Sequence, residues 1–111
     1  MTRLVSACLA GALVLAAAGP AAAAGAASGW TEIRMSQSEC IAIGQRAVSG
    51  IGYEATADQQ TVYGWRNEMV IVVRCIANRN VAVFFAYDES EQAATQAVDR
   101  LRPYFQGGGG K

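Results

Sequence analysis

The sequence predicts an α+β domain in which an antiparallel sheet of three to five strands carries two helices on one face, in the order β-α-β-β-β-β-α. Three observations support this fold class. A run of β-branched residues from Glu68 to Ala77 is typical of a strand at the centre of a sheet. Two other segments repeat apolar residues every three or four positions, as helices packed on a sheet do. Short polar segments separate the strand candidates, which favours hairpins and antiparallel pairing.

The chain begins with the features of a secretory signal peptide. A positive charge at Arg3 precedes an uncharged apolar run over residues 4–18, and Pro20 interrupts that run before a tract of small residues. An A-x-A cleavage site fits after Ala23 or Ala24. A retained membrane anchor is the alternative, which the short apolar core and the proline disfavour.

Removal of a signal peptide over residues 1–24 would leave one domain over residues 25–106 and a flexible tail over residues 107–111. We therefore expect an exported protein that is periplasmic or secreted and has no membrane span after cleavage.

Cys40 and Cys75 are the two cysteines of the expected mature chain. An even number of cysteines in a small exported domain is typical of disulfide bonding, so we predict one bridge between them. A loop of this size stabilises the folded state by roughly 4 kcal/mol in the loop-closure description. Two separately buried thiols are the alternative. A zinc site is disfavoured because the chain contains no histidine.

The first strand is expected from Trp30 to Met35, after a small-residue linker over Ala21–Ser28, with Trp30 and either Ile33 or Met35 in the core. Ser36 and Glu39 then have the spacing of a capping box that opens a helix. The residues expected on the buried side of this helix, which Gly50 and Gly52 end, are Cys40, Ile41, Gly44, Ala47, Val48 and Ile51. We expect Gly44 to allow close approach of the helix backbone to a strand.

Strands are expected over residues 53–57 and 61–66, followed by a hairpin at Asn67-Glu68, the central strand and a further strand over residues 81–87. The register of the last hairpin has two alternatives. A two-residue loop places Phe84 on the face of Val73 and Cys75, whereas a three-residue loop places Val83 and Phe85 there.

A second helix is expected to open at Asp88, with Glu89 and Glu91 in its acidic first turn. Pro103 is expected to end or kink it. Its expected buried residues are Ala94, Ala97, Val98, Leu101 and Phe105.

Composition excludes several functions. The formal net charge is zero, and no basic stripe indicates binding to nucleic acid or anionic lipid. The absence of histidine excludes a Ser-His-Asp site, a Cys-His site and a histidine-based metal site. Capping and turn formation explain the nearest acidic pairs, which are Glu89 with Glu91 and Glu54 with Asp58. We expect no catalytic residue, no cofactor and no metal.

Four residues are the best candidates for a binding surface, namely Tyr63, Trp65, Arg66 and Arg74. Trp, Tyr and Arg are frequent binding anchors because they combine a large contact area with a polar tip. Trp65 taken alone is better explained as a core residue. We expect Arg74 on the apolar sheet face opposite the helices, where its charge needs a ligand, water or a carboxylate partner such as Glu32, Glu54 or Glu68.

Four short motifs follow one another along the chain. They are a Ser-rich helix start with one cysteine (Ser36, Ser38, Cys40), a Val-x-Gly strand (Val62, Gly64), a Val-x-Cys strand (Val73, Cys75) and a Val-rich strand before the final helix (Val81, Val83). This pattern resembles a family of small exported bacterial proteins of uncharacterised function. The resemblance covers most of the expected mature chain and implies no catalytic residue.

These observations favour a non-enzymatic binding or accessory protein of the bacterial envelope that contacts another protein or a second copy of itself. The alternative is a small enzyme inhibitor or an enzyme that uses the hairpin with Tyr63, Trp65 and Arg66. A concave pocket in which Arg74 meets a carboxylate would favour the alternative, and a flat face would favour protein contact.

Overall fold

The computed structural model describes residues 24–108, which form a five-stranded antiparallel sheet and two long helices. The strands are β1 (Gly25–Glu32), β2 (Glu54–Ala57), β3 (Thr61–Arg66), β4 (Met69–Ile76) and β5 (Val81–Asp88), and the helices are α1 (Gln37–Gly50) and α2 (Glu91–Gly108). The fold class and the element order that the sequence predicts are confirmed. The predicted signal peptide, except for Ala24, lies outside the described residues. So do residues 109–111 of the predicted tail, whose first two residues belong to α2.

The β4 strand lies at the centre of the sheet, whose order is β1-β5-β4-β3-β2 with antiparallel neighbours throughout. The β3–β4 hairpin has the predicted two-residue loop, since Arg66 pairs with Met69. Asn67 occupies the left-handed region there with a φ of 58°, which asparagine tolerates better than most residues. The β-branched run therefore has a paired strand on both sides.

The loop between β4 and β5 is longer than either alternative that the sequence left open. Ile76 pairs with Val81, so four residues form the loop, and Asn80 closes it in the left-handed region with a φ of 57°. Because four, like two, is an even number, each β5 side chain lies on the same sheet face as it would with a two-residue loop. Phe84 pairs with Val73 and is fully buried.

Both helices cover the same face of the sheet. The capping box at the start of α1 is confirmed, because Ser36 Oγ accepts from the Glu39 N–H and the Glu39 carboxylate accepts from the Ser36 N–H. The close approach at Gly44 is also confirmed, since a Cβ atom there would lie 2.8 Å from Val62 Cγ2. Ile43 is buried in α1, and Ile41, which was expected in the stripe, is only partly buried.

The predicted bridge joins Cys40 in the first turn of α1 to Cys75 near the end of β4, with 6.0 Å between the Cα atoms. The Gln37 side chain reinforces the same junction. Its Nε2 donates to the carbonyl of Cys75 at 2.8 Å, and its Oε1 accepts from the N–H of Ala77 at 3.0 Å. The helix start and the end of the central strand are therefore joined by both a covalent bond and hydrogen bonds.

The small residues before Trp30 are strand and not linker, so the first strand predicted over residues 30–35 has the wrong bounds and shares only residues 30–32 with β1. The reason is the packing of α2 on β1. A Cβ atom at Gly29 would lie 2.9 Å from Val98 Cγ1 and 2.8 Å from Arg102 Nη2. Alternation along β1 then buries Thr31 and turns Trp30 away from the helices, so Trp30 is not a core residue.

The second helix begins after Ser90 and not at Asp88. Ser90 Oγ accepts from the N–H of Ala93 at 3.0 Å, as an N-cap side chain does. Asp88 instead ends β5 and is buried. Pro103 lies inside α2 and does not end it. The predicted buried residues of α2 are confirmed. No helix within residues 24–108 has the length and apolar content needed to cross a membrane.

Candidate binding surface on the open sheet face

The sheet face opposite the helices, called the open face below, is built from alternate positions of four strands. It consists of Trp30 on β1, Val83, Phe85 and Tyr87 on β5, Val70, Val72 and Arg74 on β4, and Tyr63 and Trp65 on β3. The residues between these positions point toward the helices and form the core. Each of these strands therefore carries apolar residues on both of its faces.

Exposure is concentrated on this face. The seven large hydrophobic side chains that are exposed among residues 24–108 all belong to the open face, and they range from 38% exposed for Val83 to 64% for Trp30. Five of the seven are aromatic, including both tryptophans of the chain. Contiguous apolar surface is a common feature of interaction sites, so the open face is the candidate binding surface.

Strand register arranges the open face in four rows across the sheet. The first row is Trp30, Val83, Arg74 and Thr61, the second is Ser28, Phe85, Val72, Tyr63 and Thr56, the third is Ala26, Tyr87, Val70, Trp65 and Glu54, and a fourth row of Glu32, Val81 and Ile76 lies on the other side of the first. Apart from Arg74, apolar residues occupy the middle of the rows, and small or polar residues occupy most of the ends. An apolar centre with a polar rim is the usual anatomy of a protein–protein interface.

The structure brings three of the four predicted binding residues together. Tyr63, Trp65 and Arg74 lie on the open face, and Trp65 is 40% exposed, so its expected place in the core is wrong. Arg66 does not join them. It alternates with Trp65 onto the opposite side of the sheet, and its guanidinium lies 4.5 Å from the centre of the Tyr53 ring.

The hydrogen-bond partners of Arg74 are neutral side chains and not Glu32, Glu54 or Glu68, the carboxylates that the sequence offered as one alternative. Its Nη2 donates to Gln60 Oε1 at 3.0 Å and its Nη1 donates to Thr61 Oγ1 at 3.5 Å. Arg74 also contributes to a lowered pKa of Asp58, whose main cause is hydrogen bonds from the N–H groups of Gln60 and Thr61. The guanidinium therefore lies between Val72 and Ile76 on the open face, has no ion pair among residues 24–108 and retains unused donors.

A buried polar group lies on the other side of the sheet. The Tyr53 hydroxyl donates to Asp88 Oδ2 at 2.6 Å, and both residues are buried. Burial, followed by the hydrogen bond and charge of Asp88, raises the pKa of Tyr53 to about 12. The hydrogen bond joins β5 to the segment before β2. Because the raised pKa keeps the hydroxyl protonated, Tyr53 is unsuited to act as a base at neutral pH.

The cleft that Arg74 lines contains no carboxylate, so it is not the pocket in which Arg74 meets a carboxylate that would favour an enzyme or an inhibitor. An open cleft of 330 Å³ is lined by Gln37, Gln59, Gln60, Arg74, Cys75, Ile76 and Asn78. Within residues 24–108, no group of three His, Cys, Asp or Glu side chains is arranged to hold a metal ion.

Sequence reasoning left the face of Val83, Phe85 and Tyr87 undecided and placed Trp30 in the core. The alternation of Val81 to Tyr87 already contained the signal, but both of its faces are apolar, and the loop length was needed to decide which face is exposed. For Trp30 the signal was weaker, because the glycine and alanine residues before it obscure the strand.

Comparison of the chain with protein-family models, with curated protein sequences and with solved structures gave no match.

Proposed function

We propose that this protein is a non-enzymatic binding or accessory protein of the bacterial envelope and that it acts by protein–protein contact through the open face. The observation that carries the proposal is the placement of all seven exposed large hydrophobic side chains of residues 24–108 on that one face. Trp and Tyr are the residues most enriched among binding anchors, and here four of them stand on a rigid sheet.

Two further features support the placement of this function outside the cytoplasm. Cys40 and Cys75 form a disulfide bond, and disulfide bonds persist in oxidising compartments. Residues 1–24 contain a positive charge, then an apolar run and then small residues, which is the order of a cleaved signal peptide. The resemblance to small exported proteins agrees with this interpretation. The mature protein would then be periplasmic or secreted.

The shape of the surface favours a protein over a small molecule as the ligand. Small ligands bind in concave sites that enclose most of their surface, whereas the open face is one side of a sheet with its side chains in parallel rows. Aliphatic residues such as Val70 and Val83 alternate with the aromatic ones across these rows. Such a mixture packs well against another apolar protein surface.

A capture experiment tests this function. The mature protein is immobilised at low density and exposed to an extract of the envelope that contains soluble copies of the same chain. We expect the wild type to retain a defined protein, whether a second copy or another component. Phe85→Ser should lose it, because it removes the apolar centre of the second row.

Gln92→Ser is the matched control, since it shortens an exposed side chain on α2, away from the open face. It should retain the same protein as the wild type. Equal retention by Phe85→Ser, or no specific retention by the wild type, would refute the proposed function.

A further inference from the structure

We infer that the occupant of the open face is a second copy of this chain, packed face to face about a twofold axis. This inference rests on the proposed function and deepens it by naming the partner. A twofold dimer needs one surface that is complementary to itself. Two sheets of this kind pack about 10 Å apart through their interdigitating side chains.

The area available fits a stable dimer. The five exposed aromatic side chains of the open face are each 40% to 64% exposed, which corresponds to roughly 350 to 600 Å² at about 150 to 250 Å² per aromatic side chain. The exposed valines Val70 and Val83 and the rim residues enlarge this surface. The total approaches the ~800 Å² per partner of a standard interface.

Two carboxylates of the open face could pair with Arg74 of a second copy, namely Glu32 and Glu54. Glu32 is already paired with Arg34 at 3.4 Å, which leaves Glu54 for Arg74. Arg74 lies in the first row on β4 and Glu54 lies in the third row on β2. Two rows and two strands separate them, which amounts to roughly 17 Å from the spacing of residues and strands. They are therefore too far apart to pair within one copy.

A twofold axis that crosses the face obliquely between these two residues places Arg74 of each copy over Glu54 of the other. The interface then gains two equivalent ion pairs at its rim, around a centre that includes Tyr63, Val70 and Phe85. An axis parallel to the central strand would instead bring the two Arg74 guanidinium groups together. Repulsion between like charges disfavours that arrangement.

Sedimentation equilibrium of the mature chain, from micromolar to millimolar concentration, tests the dimer. We expect a monomer–dimer equilibrium in the wild type. Arg74→Glu and Glu54→Arg should each raise the dissociation constant about tenfold, because each replaces both attractive pairs by repulsive ones. The double variant Arg74→Glu/Glu54→Arg should recover most of the affinity, since it restores the pairs with exchanged signs.

Arg46→Glu is the matched control, because Arg46 is an exposed cation on α1, on the other side of the molecule from the open face. It should leave the dissociation constant unchanged. Phe85→Ser should remain monomeric at all concentrations. Unchanged circular dichroism and melting of every variant, measured at a concentration at which the wild type is also monomeric, would show that folding is intact.

Three results would overturn the inference, namely a wild type that stays monomeric at millimolar concentration, a dimer that Phe85→Ser leaves intact, and a double variant that is no better than the single ones. The capture experiment separates this failure from failure of the proposed function. A monomer that still captures another envelope protein through Phe85 overturns the dimer alone. A monomer that captures nothing through the open face overturns both.

Discussion

Removal of the disulfide should cost a large part of the stability of this domain. Cys40 and Cys75 lie 35 positions apart in the sequence. A bridge that closes a loop of that length lowers the entropy of the unfolded chain and stabilises the fold by roughly 4 kcal/mol. The double variant Cys40→Ala/Cys75→Ala should lose about this amount. Alanine is chosen because both positions are buried and a hydroxyl would lack a partner.

The loss is large relative to the stability of a small domain, which is about 5 to 15 kcal/mol. We expect the double variant to fold, because Gln37 still bonds to the backbone of Cys75 and Ala77 and keeps α1 joined to the end of β4. Its unfolding midpoint in urea should fall strongly. The wild type measured in a strong reductant should give nearly the same midpoint.

Single variants supply the sharper test. Cys40→Ala and Cys75→Ala should each lose about as much as the double variant, since either one removes the whole bridge and leaves only a small additional loss for the second substitution. Urea unfolding followed by circular dichroism measures all four proteins. Additive losses, or a reductant that leaves the wild-type midpoint unchanged, would refute the reasoning.

Three further predictions concern the packing and the charges of the fold. Gly44→Ala should destabilise the protein by about 1 to 3 kcal/mol in urea unfolding, because the added methyl group collides with Val62. The cost of this collision outweighs the gain in helix propensity of about 1 kcal/mol. A more stable variant would contradict the close packing. Tyr53→Phe should lose about 1 to 3 kcal/mol by the same assay, because Oδ2 of the buried Asp88 carboxylate loses its donor and only Oδ1 keeps one, from the Glu89 N–H. An unchanged midpoint would contradict the Tyr53–Asp88 hydrogen bond. The pKa of Asp58 is lowered in the folded state, so its stabilising contribution is present above its unfolded value near pH 4 and disappears as the pH falls through its folded value. Melting temperatures between pH 5 and pH 2 should therefore fall less steeply for Asp58→Asn than for the wild type, and parallel curves would contradict the shift.

Most of the fold could be predicted because its signals are local. The capping box at Ser36, the two-residue turn at Asn67 and the apolar period of α2 each depend on residues within a few positions of one another. The central position of β4 also follows from its own composition, since both faces of the strand are apolar.

The remaining features depend on contacts between distant segments, and the sequence predicted them poorly. The small residues of β1 form a strand because α2 packs closely on Gly29, a contact between positions far apart in the chain. Asp88 has a sequence that suits a helix cap, but its partner is Tyr53, which no local pattern indicates. The open face was recognised only in part for the same reason, because its composition depends on the register of four strands.

Tryptophan fluorescence tests most directly whether the open face is the surface through which this protein associates. Trp30 and Trp65 are the only tryptophans of the chain, and both lie on the open face, 64% and 40% exposed. As the concentration rises through the range in which sedimentation detects association, we expect the emission to shift to shorter wavelength and acrylamide quenching to weaken, because burial removes water from both indole rings. Trp30→Phe and Trp65→Phe assign the change to each ring. Association without any change in emission or quenching would contradict the central claim, because the contact would then lie elsewhere on the molecule.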